Sequence, residues 1–300
     1  MWVVWAFSSA LLLGFYDVFK KKSLSGNAVL PVLMINTAVC ALFFIPFIIA
    51  SFLGWSGGIS VGGLREHAYV LIKALIVLSS WICGYYAMKN LPLTIVGPIN
   101  ATRPVMTLVG ALFVYGERLN VWQWLGVSLA IISFFLLGRS GKKEGINFVH
   151  NRWIVLLVSS ALLGCVSGLY DKYLMASVAE GGAGLNRFFV QAWYNLYQAV
   201  MMTAVMLSIW LPQRSRSVPF KWRWSILFIS VFLTAADLFY FYALSCPGAM
   251  IAIVSMVRRG SVVVSFLFGA LLFREKNLRS KAIDLLFVLL GMVCLFIGSC

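Results

Sequence analysis

A 300-residue chain in which 62% of residues are hydrophobic, 11% are charged and mean hydropathy is +0.94 is excluded from the soluble globular class. It reads as a polytopic membrane protein. The formal charge of +15 marks membrane topology and not nucleic-acid binding, because most of the Lys and Arg lie in short loops between apolar spans.

In chain order, Trp2–Phe19 is the first span, without the basic lead-in or small-residue cleavage site of a signal peptide, and it ends in Asp17 and Lys20-Lys21-Lys22. Further spans are expected at about 29–53, 68–88, 93–115 and 122–138, then a polar connector, Arg139–Arg152. Five more follow at about 153–173, 188–211, 225–244, 249–273 and 282–298. The expected fold class is an all-α membrane protein of ten transmembrane helices.

The fourth span carries the feature that organises the rest. Arg103 lies near its middle, roughly 15 Å from either end at about 1.5 Å of rise per residue. An arginine there costs a few kcal/mol, roughly 3 on the lenient insertion scale, and its side chain is too short to reach an interface fully. Pro98 and Pro104 bracket it, each removing an N–H and loosening the helix. Loosened backbone at that depth is tolerated only against protein or a wet cavity, so this span is read as one wall of a polar cavity at mid-membrane.

The two halves repeat. Gly14-Phe15-Tyr16-Asp17 closes span one as Gly168-Leu169-Tyr170-Asp171 closes span six, and the interval from Ala87 to Arg103 recurs from Ala243 to Arg259. Glu117-Arg118 follows span four as Glu275-Lys276 follows span nine. Residues 1–138 and 153–300 are therefore two five-helix units joined by residues 139–152. Five being odd, the second enters the membrane inverted, which places a substrate site at mid-depth where the repeats meet. Lys and Arg concentrate after spans one, three, five, seven and nine, while the other loops and flanks hold Arg65, Lys73, Arg118, Lys172 and Arg187. That bias puts both termini outside.

The pattern SSWICGYYAMKNLPLTIVGPINATRPVMTLVGALFVYGERLNVWQWLG, with its partner DLFYFYALSCPGAMIAIVSMVRRGSVVVSFLFGALLFREKNL, resembles the EamA-type branch of the drug/metabolite transporter superfamily across the chain as two tandem copies. The resemblance implies ten helices, an inverted repeat, a central cavity lined largely by helices three, four, eight and nine, and export or exchange of small metabolites. Two features depart from it. Asp284 stands where the first half has Gly126, and the family is commonly drawn with both termini cytoplasmic, opposite to the charge distribution here.

Candidate site residues follow from depth. Arg258 and Arg259 lie about as deep in span nine as Arg103 in span four, and adjacent helical residues point about 100° apart, so the pair faces two different neighbours. Asp237 is the obvious deep carboxylate and the candidate ion-pair or coupling residue; Asp17, Asp171 and Asp284 lie nearer span ends, Asp17 within reach of Lys20 or Lys21. Three deep cations against one deep anion favour a cavity that receives a carboxylate or phosphate. The bland alternative is structural pairing of Asp237 with Arg258 or Arg259.

Gln191, Tyr194/Asn195 and Gln198 form one polar stripe on span seven, with Asn36 at the matching position of span two. They are either interhelical glue or cavity lining, and Asn100 joins the cavity list one turn before Arg103. Tyr85-Tyr86 and Phe239–Tyr242 close spans three and eight, as interfacial belt or as a gate or apolar shelf to which Tyr240 would belong. The scattered cysteines form no CxxC pair and read as packing residues; His67 and His150 fall in loops, which argues against a zinc or histidine site. No cofactor, metal or catalytic residue is expected, and no phosphate loop points to ATP hydrolysis.

The function expected is alternating-access export or exchange of a small anionic or zwitterionic metabolite in a cell membrane, the bacterial inner membrane. The runner-up is a flippase for a lipid-linked group, and an integral-membrane enzyme ranks third. Expected partners are the metabolite and the bilayer, with no nucleic acid and with the chain as monomer or homodimer.

Overall fold

Within lipid every backbone N–H and C=O must be paired inside the protein, so long apolar runs close into helices. The computed structural model describes residues 2–54, 59–115, 120–142, 150–176, 178–215, 218–245, 257–273 and 278–298, and these contain helices and no strand. In chain order they are α1 (Trp2–Leu24), α2 (Val29–Phe52), α3 (Leu64–Asn90), α4 (Leu93–Ala101), α5 (Arg103–Tyr115), α6 (Val121–Lys142), α7 (Arg152–Met175), α8 (Arg187–Val205), α9 (Ser225–Ser245), α10 (Ser261–Leu272) and α11 (Leu278–Ile297). A π turn, Met206–Trp210, prolongs α8. By length and composition alone, α2, α3, α11 and the Arg152–Asp171 stretch of α7 are able to cross a membrane. Many large apolar side chains point outward, Phe7, Phe47, Phe135 and Leu271 among them, as lipid and not water would have them. The Glu117-Arg118 and Glu275-Lys276 motifs and Cys246 and Cys300 lie outside the described residues.

Two boundaries differ from expectation. The fourth span is two helices, α4 and α5, because Pro104 has no N–H to offer the Asn100 carbonyl; Thr102 Oγ1 donates instead to Ile99 O at 2.7 Å. Helix α3 starts at Leu64, ahead of the expected span, with the Glu66 carboxylate accepting the Gly63 amide at 2.8 Å. That earlier start brings His67 into the helix and out of the expected loop, where its ring nitrogens meet Val61 O at 2.7 Å and the Tyr197 hydroxyl at 2.9 Å.

Packing follows small residues and aromatic ridges. Helix α1 lies along α9, with Phe19 at 5.2 Å from both Phe228 and Phe232 and Phe15 at 5.6 Å from Phe232. Helix α3 lies along α7, where Gly84 clears Ser160 and Ser80 Oγ donates to Ser160 O at 2.8 Å. Helices α2 and α8 form a third pair, α6 and α11 a fourth, and α4 crosses α10. The α6–α11 crossing brings backbones together: a Cβ added at Gly126 would lie 2.8 Å from Gly291 O, and one at Gly291 3.0 Å from Gly126 O. Ser133 Oγ donates to Asp284 O at 2.6 Å across the same seam.

Several charges expected in loops or flanks lie inside the protein. Lys281 is fully buried and donates to Thr94 Oγ1 of α4 at 2.8 Å, and Asp284 is buried in α11. Lys73 lies well within α3 and is ion-paired with Asp171 of α7, each helix supplying one charge. Its ammonium also stands 5.1 Å from the Tyr194 ring of α8. The lysine is buried and the carboxylate only partly so, and each has the opposite charge as its partner.

Two outcomes test this packing. Gly291→Leu forces α6 and α11 apart and should cost about 1–3 kcal/mol, seen as a lower Tm in detergent; an unchanged Tm would contradict the close approach. Removing one partner of the buried pair, by Lys73→Met or Asp171→Leu, should cost about 3 kcal/mol, and the double variant less than the two singles together. Strictly additive losses in Tm would show that the two charges are not coupled.

Candidate functional site

The break between α4 and α5 puts Arg103 at the first residue of α5, half-buried and facing α7. Its Nη2 donates to the Ser160 hydroxyl at 3.2 Å and to Ser160 O at 3.4 Å. Gly164, one turn further along α7, leaves room for the guanidinium, since a Cβ there would sit 3.0 Å from Nη1. The Arg103 Nε and the Asn100 Oδ1 are both buried without a hydrogen-bond partner. Orphaned polar atoms in native interiors are uncommon and call for a ligand, water or a functional reason.

Arg258 and Arg259, just before Gly260 and α10, go to different neighbours, as their helical offset requires. Arg258 Nη2 is ion-paired with Asp237 of α9, and its guanidinium lies 4.6 Å from the Tyr240 ring. The pair is only partly covered, with 21% and 18% of the side chains exposed. Its Nε is buried without a partner. Arg259 lies within electrostatic reach of Arg103, Arg258, Tyr240 and Asp17. Among the described residues, neither Arg103 nor Arg259 forms a carboxylate ion pair. Asp17 is half-buried within electrostatic reach of Lys20, Arg103 and Arg259. Lys20, counted as a loop residue on sequence, is buried and donates to Tyr16 OH at 3.3 Å.

The polar stripe of α8 divides between two environments. Gln191 Nε2 donates to Asp237 Oδ2 and to Tyr194 OH, both at 3.4 Å, so it joins the arginine cluster. Asn195 turns back to Gln191 O at 2.8 Å. Asn36 is fully buried in the seam with α9, its Oδ1 accepting from Ser230 Oγ at 3.0 Å. Gln198 is fully buried with neither amide atom partnered. Tyr85, expected at an interface, is fully buried because α3 runs on to Asn90.

Sequence reasoning missed Ser160, Gly164 and the Lys73–Asp171 pair. Lys73 carried a signal, as a single charge inside the apolar run VLIKALIVL; a serine and a glycine in a membrane helix carry none. A separate cavity of about 510 Å³ lies between α2, α8 and α9, lined by Phe44, Phe47, Phe188, Phe189 and Leu238 with Ser60 at its rim. Among the described residues there is no group of three or more His, Cys, Asp or Glu able to hold a metal ion. What the cluster offers is guanidinium N–H donors, the unpartnered Arg103 Nε and Arg258 Nε among them, a set that suits a carboxylate or phosphate held by paired N–H bonds.

Comparison with known proteins agrees with this architecture. An uncharacterized transporter in the cobO 3' region of a Sinorhizobium species is 27% identical over 136 residues, which is 95% of that protein and 45% of this chain. That relative thus corresponds to about half of this chain. A solved structure, described only as the crystal structure of a protein, aligns with a TM-score of 0.61 at 15% identity over 98% of this chain and 97% of its own, a likeness of fold. Residues 1–139 match the EamA-like transporter family. Through these residues the first half of the chain is similar to EamA-like transporters, and the long apolar helices fit a multi-pass membrane protein.

Proposed function

We propose that the protein carries a small anionic or zwitterionic metabolite across a cell membrane, the bacterial inner membrane, as a secondary exporter or exchanger working by alternating access, and that it is not an enzyme. One observation carries this reading. Arg103 and Arg259 lie within electrostatic reach of each other with no carboxylate ion pair among the described residues, and the buried Arg103 Nε lacks a partner. Like charges buried together are costly unless water or an anion joins them. A carboxylate or phosphate between the two guanidiniums would relieve the repulsion and satisfy the free N–H groups together.

The ten-helix inverted repeat supplies the setting. Exchanging each span with the one five places along turns the α1–α9 pair into the α7–α3 pair, and maps α2–α8, α6–α11 and α4–α10 onto themselves. That pattern is what two inverted copies meeting around an in-plane axis produce. The fourth and ninth spans each break within one residue of the matched arginine, at Thr102 before Arg103 and at Gly260 after Arg259. The Lys and Arg bias supports both termini outside, although Lys20 and Lys281 lie inside the protein and no longer count toward it. The Arg258–Asp237 pair is the coupling element in this reading. Its partly exposed carboxylate is released when a substrate anion draws Arg258 away, and it takes a proton in that state.

A second reading, a flippase for a lipid-linked group, draws on the apolar cavity between α2, α8 and α9, whose Phe47, Phe188 and Leu238 are substantially exposed. Flux assays in proteoliposomes separate the two. Soluble carboxylates and phosphorylated metabolites should move, while a fluorescent lipid should not; the reverse result would replace the metabolite reading.

In the same vesicles, Arg103→Ala and Arg259→Ala should each reduce flux by about a hundredfold, as expected when a charge-assisted contact of about 3 kcal/mol is lost, with the protein still folded and inserted. Flux at the unaltered rate in both variants would remove the arginines from the substrate site. Asp237→Asn should flatten the dependence of flux on pH while retaining exchange; a profile superimposable on the parent's would exclude Asp237 as the proton carrier.

A further inference from the structure

The pairs α1 with α9 and α3 with α7 are two of the three most extensive helix seams, α6 with α11 being the third. Where one pair meets the other, between α1 and α3, the polar contacts gather at the C-terminal ends of both helices, on the face where Lys and Arg concentrate. They are reciprocal. Lys21 Nζ donates to the carbonyls of Met88 at 2.8 Å, Lys89 at 3.5 Å and Leu91, where α3 ends. Lys89 Nζ donates in return to Asn27 O at 2.8 Å, just beyond the end of α1. A helix C-terminus presents unpaired carbonyls and partial negative charge, so a lysine is the side chain that suits each position.

The connector before α9 is drawn into the same knot. Asn27 Nδ2 donates to Lys221 O and its Oδ1 accepts from the Lys221 amide, both at 2.8 Å. Arg223 Nη1 donates to Lys22 O at 2.8 Å. One turn deeper stands a second layer, in which the buried Lys20 ammonium lies 4.2 Å from the centre of the fully buried Tyr85 ring. Asp17, in electrostatic reach of Arg103 and Arg259, comes next toward the membrane centre. Two stacked layers thus separate the arginine cluster from the basic face. The described cavity of about 510 Å³ lies toward the other face, beside the residues that precede α3 and α8.

We propose that Lys21, Lys89 and Asn27 form the gate that closes the substrate path at the basic face, and that it opens and reforms once per transport cycle. The contacts suit the task. Lysine-to-carbonyl bonds between helix ends can be exchanged for water when the pairs separate, whereas an interdigitated apolar seam such as Phe15, Phe19, Phe228 and Phe232 between α1 and α9 has no such substitute. The structure is accordingly a state shut at the basic face. The proposal rests on the transport reading above and names the moving contact in it.

The test uses the full-length protein in vesicles of known orientation, with native cysteines replaced and Asn100→Cys as reporter. A membrane-impermeant thiol reagent added at the basic face should label position 100 about tenfold faster in Lys21→Met and Lys89→Met than in the reporter protein alone. Equal labelling rates would overturn the gate. Separately, Asn27→Cys with Lys89→Cys, joined by a short cleavable bis-thiol reagent, should lose flux by at least about tenfold and recover it on reduction. Undiminished flux after joining would overturn the gate even if the labelling changed. Labelling needs no substrate, so the gate can stand or fall apart from the anion reading, which the Arg103→Ala and Arg259→Ala flux measurements decide.

Discussion

A guanidinium within a bilayer-spanning protein must be hydrated, paired or covered, and the interior of this protein is arranged around three of them. Each is treated differently. Arg258 has a carboxylate and a tyrosine face. Arg103 has a serine and the clearance left by a glycine. Arg259 has other cations and a shared aspartate within electrostatic reach. The first is a resting ion pair, while among the described residues the other two have no carboxylate ion pair. The distinction between structural and functional arginine is made by the partner, since the residue type is the same.

The surrounding scaffold reuses that economy. Lys73 with Asp171 and Lys281 with Thr94 place charge inside the helix assembly and give it a definite partner on a neighbouring helix. Between helices in lipid there is little hydrophobic drive to association, so close backbone approach and polar contacts hold the seams. The Gly126–Gly291 crossing is the backbone version, and Ser133 with Asp284 O and Ser230 with Asn36 are polar versions. The Phe15, Phe19, Phe228 and Phe232 ridge makes the α1–α9 seam continuous and leaves the α1–α3 junction to hydrogen bonds at one end. The α1–α9 seam is thus aromatic, and the α1–α3 junction polar.

Gln191 and Tyr194 connect the two deep ion pairs through α8. Gln191 touches Asp237, Tyr194 receives from Gln191, and Lys73 lies over the Tyr194 ring. A change in the Arg258–Asp237 pair therefore has a contiguous contact route to the α3–α7 pair, through a helix that belongs to neither.

Read without the fold, the chain already determined that it is helical and membrane-embedded, set Arg103, Arg258 and Arg259 inside apolar runs, and offered Asp237 with Arg258 or Arg259 as the structural alternative to a substrate role. Those properties depend on local hydropathy and on helical rise, both short-range. Folding in three dimensions decided which arginine takes Asp237, that Lys20, Lys73 and Lys281 are interior and not loop charges, that Tyr85 is buried and not interfacial, and that Asn36 binds α9. Each of these is set by the rotation of a helix about its own axis and by a neighbour far away in sequence. The spacing of apolar residues gives little guidance to that rotation, because lipid and protein interior are equally apolar and no polar face marks the outside.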